Sequence, residues 1–207
     1  MKMMARFNKI SLLIISVFLG VGIGFGCSEI AIPKPKGYFR IDLPEKQYIL
    51  SDRNNAETID MPFSFEYPAY GNVVIQAENG TEPGWFNIEF PEYNAKIYFT
   101  YKNVTNNFDT IMGETYKMNV KNHVSKADAI KEQVINNREN RVYGILYDLK
   151  GNTASACQFY VIDSVKHYLR GSLYFSAEPN ADSLAPVIKF FREDIIHLIE
   201  TLKWKEK

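Results

Sequence analysis

The stretch Trp85–Lys102, WFNIEFPEYNAKIYFTYK, decides the fold because its side chains alternate between apolar and polar in both halves. The apolar positions are Phe86, Ile88 and Phe90 in the first half, then Ile97, Phe99 and Tyr101 in the second half. A period of two is typical of a strand with one buried and one solvated face. Pro91 interrupts the pattern between the halves, where it favours a turn. The stretch therefore predicts two antiparallel strands.

Similar short runs on both sides of this stretch predict a larger antiparallel sheet. They are Phe63–Tyr67, Val73–Ile75, Ile130–Asn136, Val142–Asp148, Ala154–Ile162 and His167–Phe175. Leu149–Asn152 and Asp163–Lys166 carry the residues that favour hairpin turns.

Two segments have helical spacing instead. Residues 106–122 place apolar side chains three and four positions apart, which predicts a helix. Near the C-terminus, Asp182 or Ser183 is expected to cap a second helix, with Pro186 in its first turn. Its predicted apolar stripe is Leu184, Ile188, Phe191, Ile195, Leu198 and Leu202. The sequence thus predicts an α+β fold, an antiparallel β-sheet with flanking helices.

The order of these elements resembles the Mog1/PsbP-type α/β sandwich. The resemblance covers roughly residues 60–204 and is carried by PFSFEYPAYG (Pro62–Gly71) and RGSLYF (Arg170–Phe175). It bears on the fold and contains no site motif.

The N-terminus has the pattern of a lipoprotein signal peptide. Three basic residues precede an apolar run, residues 10–23, which is shorter than the roughly 20 residues that span a bilayer. The run leads to Gly26-Cys27, which resembles a lipobox, so Cys27 is predicted to be acylated, with palmitate among the chains, and to anchor the chain to a membrane. We expect a signal peptide at residues 1–26, a lipidated N-terminus and tether at 27–37, and one α+β domain at 38–207.

Charge and cysteine content exclude several classes of protein. The whole chain has 24 basic and 24 acidic residues, and loss of Lys2, Arg6 and Lys9 with the signal peptide leaves a small acidic excess. No basic run of five or more exists, so a nucleic-acid partner is not expected. With Cys27 acylated, Cys157 is the one cysteine left, and an intramolecular disulfide is not possible.

The sequence offers no arrangement typical of catalysis, metal binding or cofactor binding. Cys157 and His167 would lie on one hairpin, and a turn at Ser164-Val165 predicts that His167 faces Ile162 and Cys157 faces Ser172. The two side chains would then be about 16 Å apart, too far for a nucleophile and its base. Cys157 is therefore predicted to be a buried core thiol. His123, His167 and His197 fall on separate elements, which disfavours a zinc site. We expect no catalytic residues, metal, cofactor or small-molecule substrate.

Several aromatic side chains fall on the polar phase of their strands. They are Trp85, Tyr98, Tyr160, Tyr168 and Tyr174. Either helices cover both faces of the sheet, or the tyrosines brace cross-strand pairs, or these side chains form a surface that binds a partner.

The stretch PKPKGYFRIDLPEKQY, Pro33–Tyr48, after the lipobox resembles the gliding-motility-associated lipoprotein GldD family of Bacteroidetes. The blocks FSFEYPAYG, WFNIEFPEYNAKIYFTYK and GSLYF agree with it. The resemblance implies a cell-envelope lipoprotein needed for gliding motility and type IX protein secretion, without enzymatic activity.

Partners implied by this resemblance are the membrane, through the lipid, and other envelope lipoproteins of gliding and secretion. Residues 37–48 could pack on the domain as an edge strand, or could bind a partner through Tyr38, Phe39 and Arg40 together with Trp85. The alternative function is a periplasmic ligand-binding module. Ser28 after the cysteine, and a single acid at Glu29, favour the inner leaflet of the outer membrane, with the domain in the periplasm.

Overall fold

The structure is a computed structural model, which describes residues 41–51, 61–76 and 84–205. These residues belong to one compact unit, Phe39–Lys207. The strands are β1 (Tyr48–Leu50), β2 (Phe63–Ser64), β3 (Glu66–Pro68), β4 (Asn72–Ile75), β5 (Trp85–Phe90), β6 (Ala95–Asn103), β7 (Ala129–Asn137), β8 (Val142–Lys150), β9 (Ser155–Ile162), β10 (His167–Phe175) and β11 (Lys203–Trp204). The helices are α1 (Phe108–Tyr116), which continues into a π-helical turn at Lys117–Lys121, and α2 (Ala181–Thr201).

The main sheet has seven antiparallel strands in the order β4-β5-β6-β10-β9-β8-β7. The quoted stretch forms β5 and β6, as predicted, with a 3₁₀ turn at Pro91–Tyr93 between them. Lys96 lies opposite Glu89 and their side chains are 2.8 Å apart. Two smaller sheets pair β1 with β3 and β11 with β2. The α+β class with an antiparallel sheet and flanking helices is confirmed.

The two faces of the main sheet are covered differently. We call the face that packs against α2 the inner face, and its core includes Phe86, Phe99, Phe159 and Phe191, all at most 2% exposed. The opposite, outer face packs against α1 chiefly over β8, β9 and β10, and Lys102 of β6 also pairs with Glu114 of α1. The buried residues of this second cluster are Ile111, Tyr147, Leu149, Tyr160 and Tyr168.

Helix α2 begins earlier than the sequence predicts. Its N-cap is Asn180, whose side chain accepts a hydrogen bond from the backbone N–H of Ser183 at 3.1 Å, so the predicted caps Asp182 and Ser183 are wrong. Pro186 consequently lies in the second turn, beyond the first-turn position predicted for it. Phe191, Ile195, Leu198 and Leu202 of the predicted stripe are buried, while Leu184 and Ile188 are half-buried.

The predicted helix at 106–122 is confirmed as α1 with its π-helical turn, although its apolar stripe is less buried than expected. Ile111 is buried, whereas Phe108 and Tyr116 are 43% and 60% exposed. The first residue and the last residue of α1 proper therefore point away from the sheet.

The predicted register of the β9–β10 hairpin is wrong by one residue. Tyr168 lies opposite Ile162, and Leu173 lies opposite Cys157. The Asp163 carboxylate accepts hydrogen bonds of 2.8–2.9 Å from the backbone N–H groups of residues 165, 166 and 167. Ser164 has a left-handed backbone conformation, with φ of 68°. Because the register is shifted by one residue, the loop has three residues instead of the predicted two.

Candidate functional site

Most of the predicted site residues lie outside the described residues. These are Cys27, Tyr38, Phe39 and Arg40. Trp85, the remaining one, is the first residue of β5 and is 39% exposed.

The chain that follows them, residues 41–50, is joined to helix α2 by a buried carboxylate. Asp194 is 1% exposed. One of its oxygens accepts hydrogen bonds from Lys46 Nζ at 2.6 Å and Tyr48 Oη at 2.9 Å, and the other accepts one from Tyr70 Oη at 2.6 Å. Lys46 also donates to the backbone carbonyl of Phe190 and lies 3.8 Å from the centre of its ring. We call Lys46, Tyr48, Tyr70 and Asp194 the N-terminal clamp.

The clamp changes the pKa of both of its tyrosines. Burial, the hydrogen bond to Asp194 and the charge of that carboxylate raise the pKa of both Tyr48 and Tyr70. The ring of Tyr48 stacks on His197 at 3.6 Å, and His197 Nε2 lies 2.7 Å from a carboxylate oxygen of Glu66.

Of the two alternatives for residues 37–48, packing on the domain holds for the described part, because β1 pairs with β3 and Tyr48 lies opposite Pro68.

On the outer face, Trp85 and Tyr98 are exposed and Tyr174 beside them is half-buried. Tyr98 is 45% exposed, and its ring packs edge-on against Tyr174, with 5.5 Å between the ring centres. Trp85 lies opposite Thr100, the next outward position along β6, so it is a diagonal neighbour of Tyr98. We call Trp85, Tyr98 and Tyr174 the aromatic shelf.

The other two outward tyrosines are covered. Tyr160 and Tyr168 are 8% and 2% exposed and pack under α1. The hydroxyls of Tyr168 and Thr115 are 2.6 Å apart, which gives the buried phenol a partner. Coverage by a helix therefore holds for Tyr160 and Tyr168, which lie under α1. Binding of a partner by the shelf stays a prediction.

A buried polar cluster, which sequence reasoning missed, lies under the π-helical turn. Arg170 donates from Nε to Asn119 Oδ1 and from Nη2 to Gln158 Oε1, both at 2.7 Å. Gln158 Nε2 lies 2.9 Å from His123 Nε2. Because an amide nitrogen only donates, that ring nitrogen accepts and the imidazole is neutral. Burial, and then the charge of Arg170, lower the pKa of His123, while burial lowers the pKa of Arg170.

Cys157 is confirmed as a buried thiol. It is fully buried in the inner core, and burial raises its pKa to about 12, so the thiolate required for nucleophilic attack is disfavoured near neutral pH. His167 is engaged elsewhere: its Nδ1 lies 2.8 Å from Tyr101 Oη and its ring stacks on Trp204 at 5.1 Å. Burial lowers the pKa of His167, although the charge of Asp163 opposes this.

An open cavity of about 380 Å³ lies beside His167. It is lined by Pro62, Tyr101, Asn103, Lys166, His167 and Lys205. Within the described ranges, no three His, Cys, Asp or Glu side chains come together as metal ligands. None of the helices in those ranges is both long and apolar enough to cross a membrane.

One sequence signal could have revealed the clamp. Asp194 falls within the apolar surface of α2, between the buried Phe191 and Ile195 and four residues before Leu198. A carboxylate at such a position must have a polar or charged partner. The identity of that partner, Lys46, could not be read from a helical pattern.

These observations define the class of protein: an α+β domain with an antiparallel sheet and a helix on each face, in which residues 41–50 are hydrogen-bonded to the last helix. The chain belongs to the gliding motility lipoprotein GldD family, whose model matches residues 28–204. Membership implies a role in gliding motility and, as a lipoprotein, attachment to a membrane of the cell envelope.

A solved structure is similar over most of the chain. It is the solution structure of PsbP (CyanoP) from the cyanobacterium Synechocystis, with 12% sequence identity and a TM-score of 0.41. The similarity covers 82% of this chain and 98% of that one and concerns the fold alone. No curated protein is significantly similar to the chain.

Proposed function

We propose that this chain is a non-enzymatic lipoprotein that assembles or stabilises the envelope machinery of gliding motility and type IX protein secretion. In this proposal residues 1–26 are removed, Cys27 carries the lipid, residues 27–37 form a tether and residues 38–207 form one domain. The domain binds another envelope lipoprotein through the aromatic shelf.

The observation that carries the proposal is the exposure of the shelf. Tyrosine and tryptophan side chains dominate the binding energy of protein interfaces because they bury a large area with few rotatable bonds. Helix α1 covers Tyr160 and Tyr168 on the same face, but it leaves Trp85 and Tyr98 more than a third exposed. A partner that covers the shelf would complete the burial of this face.

The clamp supports the proposal by fixing where the tether leaves the domain. Tyr93, the last residue of the β5–β6 turn, donates a hydrogen bond from its hydroxyl to the backbone carbonyl of Asp42 at 3.3 Å. Residues 28–40 could extend at most about 45 Å from there to the lipid. We propose that Tyr38, Phe39 and Arg40 also contribute to the binding of a partner.

For location, we propose the inner leaflet of the outer membrane, with the domain in the periplasm. Ser28 and the single acid Glu29 after the lipid cysteine support this choice. Proteinase added to intact cells should then leave the domain intact and should digest it after the outer membrane has been permeabilised.

The alternative, a periplasmic ligand-binding module, would use the cavity beside His167. Its volume of about 380 Å³ lies within the range of ligand sites, but such sites enclose most of their ligand, whereas this cavity is open. Binding of an envelope metabolite that is abolished by His167→Ala and unaffected by changes in the shelf would favour this alternative.

Site-specific photo-crosslinking in cells tests the proposal. A benzophenone amino acid at position 98 should yield a discrete adduct with another envelope lipoprotein, identified by mass spectrometry. The same amino acid at position 116, where the tyrosine is 60% exposed on α1, is the matched control. Adducts of equal yield at both positions, or none at position 98, would exclude the shelf as the binding surface.

A further inference from the structure

Strand β7 is a long edge strand. It ends the main sheet and pairs with β8 in an unbroken register from Ala129, opposite Lys150, to Asn137, opposite Val142. Among the described strands, none pairs with its other side. The unpaired N–H and C=O groups of such an edge form a template for a further strand. The opposite edge strand, β4, has four residues, whereas β7 has nine.

Apolar side chains flank this edge on both faces. On the outer face, Val134 is 75% exposed, the most of any large hydrophobic side chain in the described residues. On the inner face, a groove of about 210 Å³ runs between β7 and α2, and Ile135, Ile196 and Ile199 contribute to its lining. A strand added to β7 would cover Val134 and extend over this groove.

We propose that β7 pairs antiparallel with β7 of a second copy of this chain, around a two-fold axis at Val134. The position of the axis follows from the charges. An axis at Lys131 or Glu132 would place like charges opposite each other, which is destabilising. An axis at Gln133 would place a charged side chain opposite an apolar one in two pairs, Glu132 with Val134 and Lys131 with Ile135. An axis at Ile135 would leave five strand residues paired, since the chain turns after Asn137.

An axis at Val134 avoids each of these costs. The two valines lie opposite each other, Glu132 faces Asn136, Gln133 faces Ile135 and Lys131 faces Asn137. Seven residues pair, over about 24 Å of strand. The resulting dimer would contain one continuous sheet, and its interface would lie at the opposite end of the sheet from β4 and β5, so the inference goes beyond the proposed function.

The same register brings opposite charges together across the axis. Asn137 and Glu200 line the same groove. Lys131 of the second copy lies opposite Asn137, on the side of the groove where Glu200 is exposed. Each dimer would therefore contain two symmetry-related Lys131–Glu200 ion pairs.

Cysteine cross-linking of the full lipoprotein in detergent tests the register. Val134→Cys should form a disulfide-linked dimer on oxidation with copper–phenanthroline, because residues opposite each other at the axis have Cα atoms about 4.5–5.5 Å apart. In Glu132→Cys, the two thiols would be four residue steps apart along the strands, about 14 Å, and should not cross-link. Cys157 is fully buried, so the unsubstituted chain provides the background. Equal dimer yields from both variants, or no dimer from Val134→Cys, would overturn the proposal.

Light scattering coupled to size-exclusion chromatography provides a second test. Lys131→Glu and Glu200→Lys should each weaken the dimer about tenfold, and the double variant should recover most of the loss. A wild-type chain that remains monomeric would overturn the proposal. So would an in-cell adduct from position 134 that contains a different protein and no second copy.

Discussion

Asp194 combines near-complete burial with three hydrogen-bonding partners from two other parts of the chain. Lys46 and Tyr48 come from the N-terminal segment and Tyr70 comes from the loop before β4. A buried carboxylate is tolerated in an apolar helix surface only when its lost hydration is replaced in this way. The clamp therefore holds residues 46–48 of the N-terminal segment against α2 and the loop before β4.

Asp194→Asn should lower the free energy of unfolding by about 1–3 kcal/mol, because the amide cannot accept from all three donors and leaves buried groups unsatisfied. The control is Glu193→Gln, whose carboxylate is half exposed and 3.6 Å from Lys46, and which should change stability by less than about 0.5 kcal/mol. Urea unfolding measures both. Equal effects of the two substitutions would show that Asp194 does not hold the segment.

Stability should also fall as the pH is lowered below about 6.5. The pKa values of His123 and His167 are lowered from 6.5 in the folded chain, chiefly by burial, so the unfolded chain binds protons more readily in this range. Well above pH 6.5 the imidazoles are neutral in both states and the effect vanishes. The urea midpoint should decline between pH 7.5 and 5.5, and His167→Gln should reduce the decline. A midpoint that is constant over this range would contradict the burial of both imidazoles.

Among the elements, helix α2 makes the inner core. Phe191 is fully buried, and its ring lies 4.5 Å from that of Phe90 and 5.7 Å from that of Tyr93. It thereby joins the helix to β5 and to the β5–β6 turn. The β2–β3 segment covers another part of this face, since Phe65 stacks on Phe86 and Phe99.

Phe191→Ala should lower the free energy of unfolding by about 3–5 kcal/mol, the usual range for a buried phenylalanine whose removal leaves a cavity. Lys189→Ala, an exposed change on the same helix, is the matched control and should have little effect. Thermal unfolding of both proteins decides the point. An unchanged melting temperature for Phe191→Ala would mean that α2 does not close the core.

The elements with strong periodicity could be predicted from the sequence, whereas their junctions could not. Strand β10 has the predicted bounds, His167–Phe175, because its alternation is continuous. The register of the hairpin before it depends on Asp163, whose burial alone would raise its pKa but whose three backbone hydrogen bonds keep that pKa below its usual value. The hydrogen bonds of a single side chain leave no periodic pattern in the sequence. The cap at Asn180 was missed for the same reason, since several adjacent residues are suitable caps.

The candidate site was less predictable than the fold. Trp85 and Tyr98 could be identified because they stand on the polar phase of strands that the alternation defines. The clamp and the Arg170 cluster depend on contacts between residues far apart in the chain, such as Lys46 with Asp194, and the sequence pattern contains no signal of them.

At the level of the whole molecule, α2 packs on the inner face of the main sheet, α1 covers part of the outer face, and the described N-terminal segment contacts the β5–β6 turn through Asp42 and Tyr93. If Cys27 carries the lipid, Cys27→Ala should leave the domain folded and release it from the membrane, because the described fold does not use that thiol. Detergent phase partitioning of wild type and Cys27→Ala in parallel measures this. A mutant that partitions with the detergent phase as fully as wild type does would contradict lipid attachment at Cys27.

Gliding of cells that carry the shelf variant, Trp85→Ser with Tyr98→Ser, tests whether the shelf is the working surface of this lipoprotein. The variant replaces the only copy of the gene, and Tyr116→Ser, at an exposed position outside the shelf, serves as the control. Both proteins should reach normal abundance and melt as wild type does. We predict that cells with the control glide and secrete normally, and that cells with the shelf variant do neither. Normal gliding of the shelf variant would contradict the proposal that the shelf binds a component of the gliding machinery.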